Sequence, residues 1–289
     1  MTKQELLIKF KHSELMRTIF FPANVLYRQL LLRGYSKSID SEHIKKLHNV
    51  HQGQRCFIIG NGPSLTPNDL DRIKDEYSFA ANRIYHIFDS TKWRPSYYVS
   101  IDSTVIPFEI NNIKSKMSCP KFINYKAKVF GRKQEDNIWY ICLKGKFRIN
   151  PRDPVADTLN DDLSKYVTWV HTVTVTSIEL AIYMGFKEIY LLGVDHSYAK
   201  KVDRSGKVYD DPTVKSSYFE GMKDFQGKPD KGSVMFQYIE SSNYSYELAK
   251  KFAQEKDVKI YNATRGGKLE IFERVNFDSL FVEKGLDRE

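Results

Sequence analysis

Apolar residues are spaced along the chain in two ways, and each way predicts a different kind of structure. In residues 1–50, apolar positions such as Leu6, Phe10, Leu26 and Leu30 recur at helical spacing, with lysine and arginine between them. This spacing predicts one or two basic amphipathic helices. From residue 51 onward, short continuous apolar runs follow one another instead. Such runs are typical of parallel strands that are covered on both faces of a sheet.

The apolar runs alternate with helical patterns, and this alternation predicts the fold class. Strands are predicted at residues 56–59, 77–81, 97–101, 121–124, 137–142, 187–192 and 258–261, and helices after Thr66 and at residues 172–184 and 241–256. The expected fold is α/β, with a Rossmann-like, mostly parallel sheet flanked by helices. Residues 1–50 would form a helical extension and residues 51–289 the Rossmann-like domain. Within that domain, the charged and aromatic residues 196–240 predict a lid-like insert.

The first predicted strand runs into a glycine turn with the sequence Gly60-Asn61-Gly62-Pro63-Ser64. Gly60 and Gly62 remove side chains at points where a phosphate would approach the backbone. The helix predicted just downstream would direct amide groups and its dipole at that phosphate. The turn matches neither the GxGxxG fingerprint nor the GxxxxGK[ST] loop. An ordinary tight turn between strand and helix is therefore the alternative.

Two more polar residues follow predicted strands. Asn82 ends the second strand and Asp102 ends the third. Because ligands of open parallel sheets bind beyond the carboxyl ends of the strands, both would lie beside the glycine turn. Asn82 would contact a ribose, base or phosphate, and Asp102 would bind a ribose hydroxyl or Mg²⁺. The alternatives are a turn residue for Asn82 and a helix N-cap for Asp102.

A second polar cluster follows the predicted strand 187–192 and contains Gly193, Asp195, His196 and Tyr198. Histidine titrates near neutral pH, so His196 at a strand end is suited to act as a general base. The alternative is that His196 fixes the loop by hydrogen bonds.

Other candidate positions lie elsewhere in the chain. Thr172 and Thr174 offer hydroxyls at the start of a helix, and Tyr218 belongs to the predicted lid. Asn262 and Arg265 follow the last predicted strand. Arg265 would reach a phosphate or a sugar carboxylate there.

The net charge indicates which binding partners to expect, and the lengths of the apolar runs indicate the cellular compartment. The formal net charge of +9 favours an anionic substrate or membrane surface, and no nucleic-acid motif accompanies it. The three cysteines form no CxxC pair. No apolar run approaches the roughly 20 residues of a transmembrane helix, so a cytoplasmic protein is expected. Residues 1–50 would either contact the inner membrane leaflet or pack on the domain or on a second subunit.

Four segments together resemble the DUF115, or MptE-like, family, whose bacterial members include the Maf flagellin-glycosylation proteins. They are residues 60–65, 93–102, 193–198 and 260–264. The chain is also similar to bacterial single-domain sialyltransferases that use CMP-activated nonulosonic acids. These enzymes share a Gly-Asn-Gly-Pro-Ser-Leu loop, an asparagine closing the next strand, and a segment like residues 185–195.

The sialyltransferase resemblance implies a glycosyltransferase of surface-polysaccharide or glycoprotein glycan synthesis. It would transfer an acidic sugar from a CMP-linked donor to a glycan or lipid-linked acceptor, and no metal would be required. The resemblance implies that Asn61, Ser64 and Asn82 contact CMP. Thr172 and Thr174 would lie near the phosphate or the sugar carboxylate.

The same resemblance assigns catalytic roles with one departure. Lid tyrosines would stabilise the leaving phosphate, which makes Tyr198 and Tyr218 candidates. The sialyltransferases place a catalytic histidine in the lid, whereas this chain has no histidine after His196. His196 or Asp195 would therefore serve as the base.

Two alternatives stay open. The MptE-like family is named for Mg²⁺-ATP-dependent diphosphoryl transfer to a hydroxymethylpterin, in which an acidic pair after the third strand binds the metal. This chain has Asp102-Ser103-Thr104 at that point, so Asp102 would be the metal ligand without the second acid. The other alternative is a non-catalytic nucleotide-binding protein.

Overall fold

The computed structural model describes residues 21–102, 106–126, 137–145, 156–202, 208–222 and 237–281 of the 289-residue chain. The helical pattern in residues 1–20 and large parts of the predicted lid lie outside these ranges.

The described helices begin where the sequence offers capping residues. Thr66 and Thr172 accept hydrogen bonds from the amides of Asp69 and Thr174, as N-cap residues do. The helices are α1 (Phe21–Ser36), α2 (Ile39–Lys46), α3 (Pro67–Arg72), α4 (Ile106–Lys116), α5 (Val173–Tyr183) and α6 (Ile239–Glu255). Short 3₁₀ helices cover Ile84–Ser90 and Phe277–Phe281.

The strands form one large sheet and two small ones. They are β1 (Arg55–Ile59), β2 (Ser78–Ala81), β3 (Tyr97–Ser100), β4 (Lys121–Asn124), β5 (Ile138–Ile141), β6 (Leu143–Lys144), β7 (Val167–Thr168), β8 (Glu188–Leu192), β9 (Lys200–Val202), β10 (Val208–Asp210), β11 (Gln237–Tyr238), β12 (Lys259–Asn262) and β13 (Glu273–Arg274). The large sheet has the order β13-β12-β8-β1-β2-β3-β4-β5, and all its described pairs are parallel. The predicted α/β, Rossmann-like fold is confirmed.

The sheet is buried on both faces, which explains the continuous apolar runs. Along β1, Cys56 and Ile58 belong to the core packed against α5 and α6, whereas Phe57 and Ile59 belong to the core packed against α3 and α4. Successive side chains of a strand point to opposite faces, so a strand covered on both sides must be apolar throughout. The chain leaves β1 towards β2 on one side and later returns to β8 on the other. This reversal places a topological switch point between β1 and β8.

The N-terminal helices contact the domain through their later part. The Tyr35 hydroxyl donates to the Leu163 carbonyl, and the Ser41 hydroxyl donates to the Ser164 carbonyl at 2.7 Å. The Asp40 carboxylate accepts from the Tyr140 amide at 3.1 Å. The segment around α2 therefore packs on the domain, which was one of the two alternatives for residues 1–50.

Candidate functional site

A cavity of about 560 Å³ opens beyond the carboxyl ends of the central strands. It lies at the switch point, where ligands of open parallel sheets bind. Most of the candidate residues line it, namely Gly60, Asn61, Gly62, Asn82, Asp102, Thr172, Thr174, Gly193, Asp195, His196, Tyr198 and Tyr218. The structure thus brings the two predicted polar clusters together.

The glycine turn (residues 60–64) packs directly on the loop that follows β8. A Cβ atom on Gly60 would lie 2.2 Å from the Gly193 carbonyl oxygen, and one on Gly62 would lie 1.9 Å from the Asp195 carboxylate. The Gly62 amide donates to the Gly193 carbonyl at 2.8 Å. Both glycines line the cavity, but the contact that excludes a side chain is the β8 loop. Packing against the β8 loop is therefore a second reason for glycine at these positions, and the predicted approach of a phosphate stays a prediction.

Ser64 and Asp195 bind one another. The Ser64 hydroxyl donates to Asp195 Oδ2 at 2.7 Å, and its amide donates to the same oxygen at 3.4 Å. Burial raises the pKa of Asp195, and the hydrogen bonds from Ser64 oppose that shift. Asp195 therefore fastens the glycine turn to the β8 loop. Asp195 lines the cavity, whereas Ser64 and the exposed Pro63 are not among its lining residues. The predicted roles of Asp195 as a base and of Ser64 as a nucleotide contact stay predictions.

Asn61 presents an acceptor to the cavity. Its side-chain Nδ2 donates to the Ala81 carbonyl at 3.1 Å, which fixes the orientation of the amide. Its Oδ1 atom is buried and has no hydrogen-bond partner within the described part of the chain. A buried oxygen left in this state costs about 1–3 kcal/mol. The amide is therefore positioned to accept a hydrogen bond from a ligand.

Two non-glycine residues of the site adopt the left-handed conformation. Asn82 has φ of 54° and His196 has φ of 51°. Asparagine and histidine enter this region more often than most other non-glycine residues, and such backbone conformations concentrate at functional sites. The Tyr98 hydroxyl donates to the Asn82 carbonyl at 2.6 Å, and His196 Nε2 lies 2.6 Å from Asn243 Oδ1. These contacts hold both strand ends in place.

The N-terminus of α5 opens into the same cavity. Thr172 caps the helix through its hydroxyl, and both Thr172 and Thr174 hydrogen bond with the Tyr246 hydroxyl. Burial raises the pKa of Tyr246, and these two contacts oppose the shift. A helix N-terminus with hydroxyls around it favours a negatively charged group.

The described part of the insert lies against the glycine turn. Phe219 is buried, and its amide donates to the Asn61 carbonyl at 3.0 Å. Tyr218, next to it, lines the cavity, as does Tyr198. The structure therefore brings both tyrosines to the cavity, and their predicted contact with a leaving phosphate stays a prediction.

Two predicted site residues are used elsewhere. Asn262 holds its own turn, donating to the Leu269 carbonyl and accepting from the Thr264 amide. Arg265 pairs with Asp69 at 3.0 Å and with Asp278 at 2.7 Å. Neither Asn262 nor Arg265 lines the cavity. The structure therefore does not bring either residue to the cavity, since β12 lies two strands away from β1 and other protein groups bind these side chains. A substrate contact by either stays an untested prediction.

Asp102 is exposed at the cavity. The described residues hold no cluster of three or more histidine, cysteine or acidic side chains that suits a metal ion. Ser103 and Thr104 lie outside the described ranges. Under the diphosphokinase alternative, Asp102 is the described residue that would bind Mg²⁺.

Sequence reasoning missed the end of the cavity that lies over β4 and β5. Arg28 from α1, Lys126 beyond β4 and Lys144 from β6 line the cavity, as does His171 before α5. Lys126 follows a predicted strand, and the strand-end rule applied to it would have identified it. Arg28 gave no local signal, since it is one of several cations in a helical pattern.

In the described portion of the chain, no helix has both the length and the apolar character needed to cross a bilayer.

A model of the family described as "6-hydroxymethylpterin diphosphokinase MptE-like" matches residues 31–201. No curated protein matches the chain.

Three solved structures are similar to it at low identity. The Maf glycosyltransferase from Magnetospirillum magneticum AMB-1 is 12% identical with a TM-score of 0.44, over 80% of this chain and 35% of that one. This chain thus spans about a third of that protein. The sialyltransferase CstII from Campylobacter jejuni, in complex with cytidine-5'-monophosphate, is 19% identical with a TM-score of 0.48, over 78% and 85% of the two chains. The sialyltransferase Cst-I from the same organism is 17% identical with a TM-score of 0.37, over 73% and 75%.

Proposed function

Because the chain belongs to the MptE-like family, whose model matches more than half of its length, we propose that it is a nucleotide-dependent transferase. Within that class, we propose a glycosyltransferase of surface-polysaccharide or glycoprotein glycan synthesis. It would transfer an acidic, nonulosonate-type sugar from a CMP-linked donor to a glycan or lipid-linked acceptor. The glycine-turn motif of residues 60–65 supports the choice of donor.

The observation that carries the proposal is the oriented amide of Asn61. Its Oδ1 atom is buried in the cavity wall and needs a donor, while Nδ2 is already bound to Ala81. A nucleoside supplies such donors, as the amino group of its base or as ribose hydroxyls. Binding a nucleotide would therefore replace a hydrogen bond that the protein itself leaves unmade.

The phosphate of the nucleotide would face the N-terminus of α5. Thr172 and Thr174 place hydroxyls there, and the helix dipole favours negative charge. Charge on the phosphate increases as the bond to the sugar breaks, so these groups would stabilise the leaving CMP. Tyr198 and Tyr218 lie in the same cavity and would add hydroxyl donors.

His196 is the proposed base. Asn243 Oδ1 accepts from Nε2–H in the neutral tautomer that this contact favours, which leaves Nδ1 as the basic nitrogen. His196 would take the proton from the acceptor hydroxyl as its oxygen bonds to the anomeric carbon. The bond from that carbon to the phosphate oxygen breaks, and CMP leaves with the electron pair. This scheme requires no metal.

The second candidate is diphosphoryl transfer from Mg²⁺-ATP, which the family description and the position of Asp102 favour. Asp102-Ser103-Thr104 supplies one acidic residue where that chemistry is expected to use two. We therefore rank it below glycosyl transfer. A non-catalytic nucleotide-binding protein is the third candidate.

Calorimetry separates these candidates. We expect CMP to bind, with an affinity that EDTA does not change, and ATP to bind more weakly with or without Mg²⁺. If ATP binds tightly only with Mg²⁺, and Asp102→Asn removes that binding, the diphosphokinase assignment replaces ours. CMP binding without release of CMP from any sugar donor would favour the non-catalytic alternative.

We also propose peripheral contact with the inner membrane leaflet through α1. Leu26 and Leu30 lie one turn apart and are 58% and 57% exposed, and Tyr27 beside them is 46% exposed. Basic helices with an apolar face bind anionic bilayers. The double variant Leu26→Ser/Leu30→Ser is expected to sediment less with phosphatidylglycerol vesicles than the wild type does. Equal sedimentation would contradict the proposal.

A further inference from the structure

The cavity extends beyond the part in which we propose that the nucleotide binds. One end is formed by the glycine turn and the β8 loop, and the other lies beyond β4 and β5 beneath α1. Strands in a sheet are about 4.8 Å apart, so β4 and β5 lie roughly 14 and 19 Å from β1. A nucleotide phosphate at α5 would leave this second end for another group.

Two cations from different elements meet at that second end. Arg28 Nη1 on α1 donates to the Gly145 carbonyl at 3.2 Å, which holds the guanidinium beside the end of β6. Lys126 lies just beyond β4, and burial together with the charge of Arg28 lowers its pKa. Lys144 also lines this end, but its ammonium lies 4.3 Å from the centre of the Tyr166 ring.

An oxyanion bound between two cations that line the same cavity is stabilised by both charges. A guanidinium binds phosphate or carboxylate through paired hydrogen bonds, and an ammonium adds a point charge. We propose that Arg28 and Lys126 form the acceptor subsite and that the acceptor carries a phosphate. The inference rests on the proposed transferase function in identifying the second ligand as the acceptor.

The surroundings allow two sources of the oxyanion. Leu31 and Leu32 line the cavity beside Arg28, and the exposed Leu26 and Leu30 lie on the same helix. A phosphate attached to a lipid would place its apolar chain along α1. A soluble sugar phosphate would bind the two cations without using that surface.

Titration of inorganic pyrophosphate tests the subsite. Calorimetry is performed on the full chain with and without saturating CMP, for the wild type and for Arg28→Gln/Lys126→Gln. Lys45→Gln/Lys46→Gln is the matched control, since it removes the same charge from exposed positions on α2. We expect pyrophosphate to bind the CMP-loaded wild type and the control. For Arg28→Gln/Lys126→Gln we expect its affinity to fall at least tenfold, with CMP affinity unchanged within about twofold.

Several outcomes would overturn the proposal. These are no pyrophosphate binding by the wild type, an equal loss in the control, or an equal loss of CMP affinity, which would assign the cations to the nucleotide phosphate. If CMP fails to bind but pyrophosphate binding still depends on Arg28 and Lys126, the donor assignment fails and the anion site stands.

Competition with pyrophosphate identifies the source of the oxyanion. Displacement by phosphatidylglycerol vesicles and not phosphatidylcholine vesicles indicates a lipid phosphate, and displacement by glucose 1-phosphate indicates a soluble one. Displacement by neither contradicts the subsite.

Discussion

Replacing Gly60 with alanine is expected to abolish nucleotide binding and to destabilise the fold by about 3 kcal/mol. The new Cβ would lie 2.2 Å from the Gly193 carbonyl oxygen, where no contact is tolerated. Gly60 and Gly193 both lie in backbone that hydrogen bonds hold in place. The Gly60 amide donates to the Leu192 carbonyl at 2.8 Å, and the Gly62 amide donates to the Gly193 carbonyl. The glycine turn and the β8 loop would have to move apart. That separation would move the amide of Asn61 away from the nucleotide.

The matched control is Gly34→Ala on α1, where no atom lies within 4 Å of the new Cβ. Alanine is the better helix former, so this variant should be as stable as the wild type or more stable. Thermal melting and CMP calorimetry measure both effects. A Gly60→Ala protein that melts with the wild type and binds CMP normally would show that the two loops do not need their close contact. Gly62→Ala, whose Cβ would meet the Asp195 carboxylate, should also lose affinity.

The strands of the sheet could be predicted because burial on both faces requires continuous apolar runs, and such runs are visible in the sequence. The run at residues 121–124 was predicted as a strand and is observed as β4, and its neighbours differ by one or two residues at their ends. By contrast β13 consists of Glu273 and Arg274, both exposed. It pairs with β12 through backbone hydrogen bonds, so its side chains carry no pattern that predicts a strand.

Part of the candidate site could be predicted, because residues that follow parallel strands lie close together at one edge of the sheet. Asn82 and His196 follow strands near the switch point, and both line the cavity. The same rule does not bring Arg265 to the cavity, since its guanidinium pairs with Asp69 of α3, a partner that only the folded chain brings close. Arg28 was missed for the opposite reason. A helix outside the sheet carries it to the cavity, and no local pattern in the sequence indicates that contact.

His196→Asn is expected to lower the release of CMP from CMP-N-acetylneuraminate by about 10²- to 10⁴-fold, the usual contribution of a general base. Asparagine is chosen because His196 has φ of 51°, a conformation that asparagine tolerates, so the loop should keep its shape. The variant removes the imidazole while the glycine turn, Asn61 and the N-terminus of α5 stay in place. CMP affinity should therefore remain within about twofold of the wild type.

Asp195→Ala is expected to weaken CMP binding more than it lowers the rate of CMP release, which is the reverse of His196→Asn. Its carboxylate holds Ser64 at 2.7 Å, so its loss should loosen the glycine turn and weaken CMP binding, with a smaller effect on the rate at saturating donor. His86→Ala, at an exposed histidine in the 3₁₀ helix Ile84–Ser90, is the neutral control. If CMP release persists in His196→Asn but not in Asp195→Ala, despite equal CMP saturation, then Asp195 is the base. In that case the hydrogen bond from Ser64 must open during turnover, and the role assigned to His196 passes to holding the loop through Asn243.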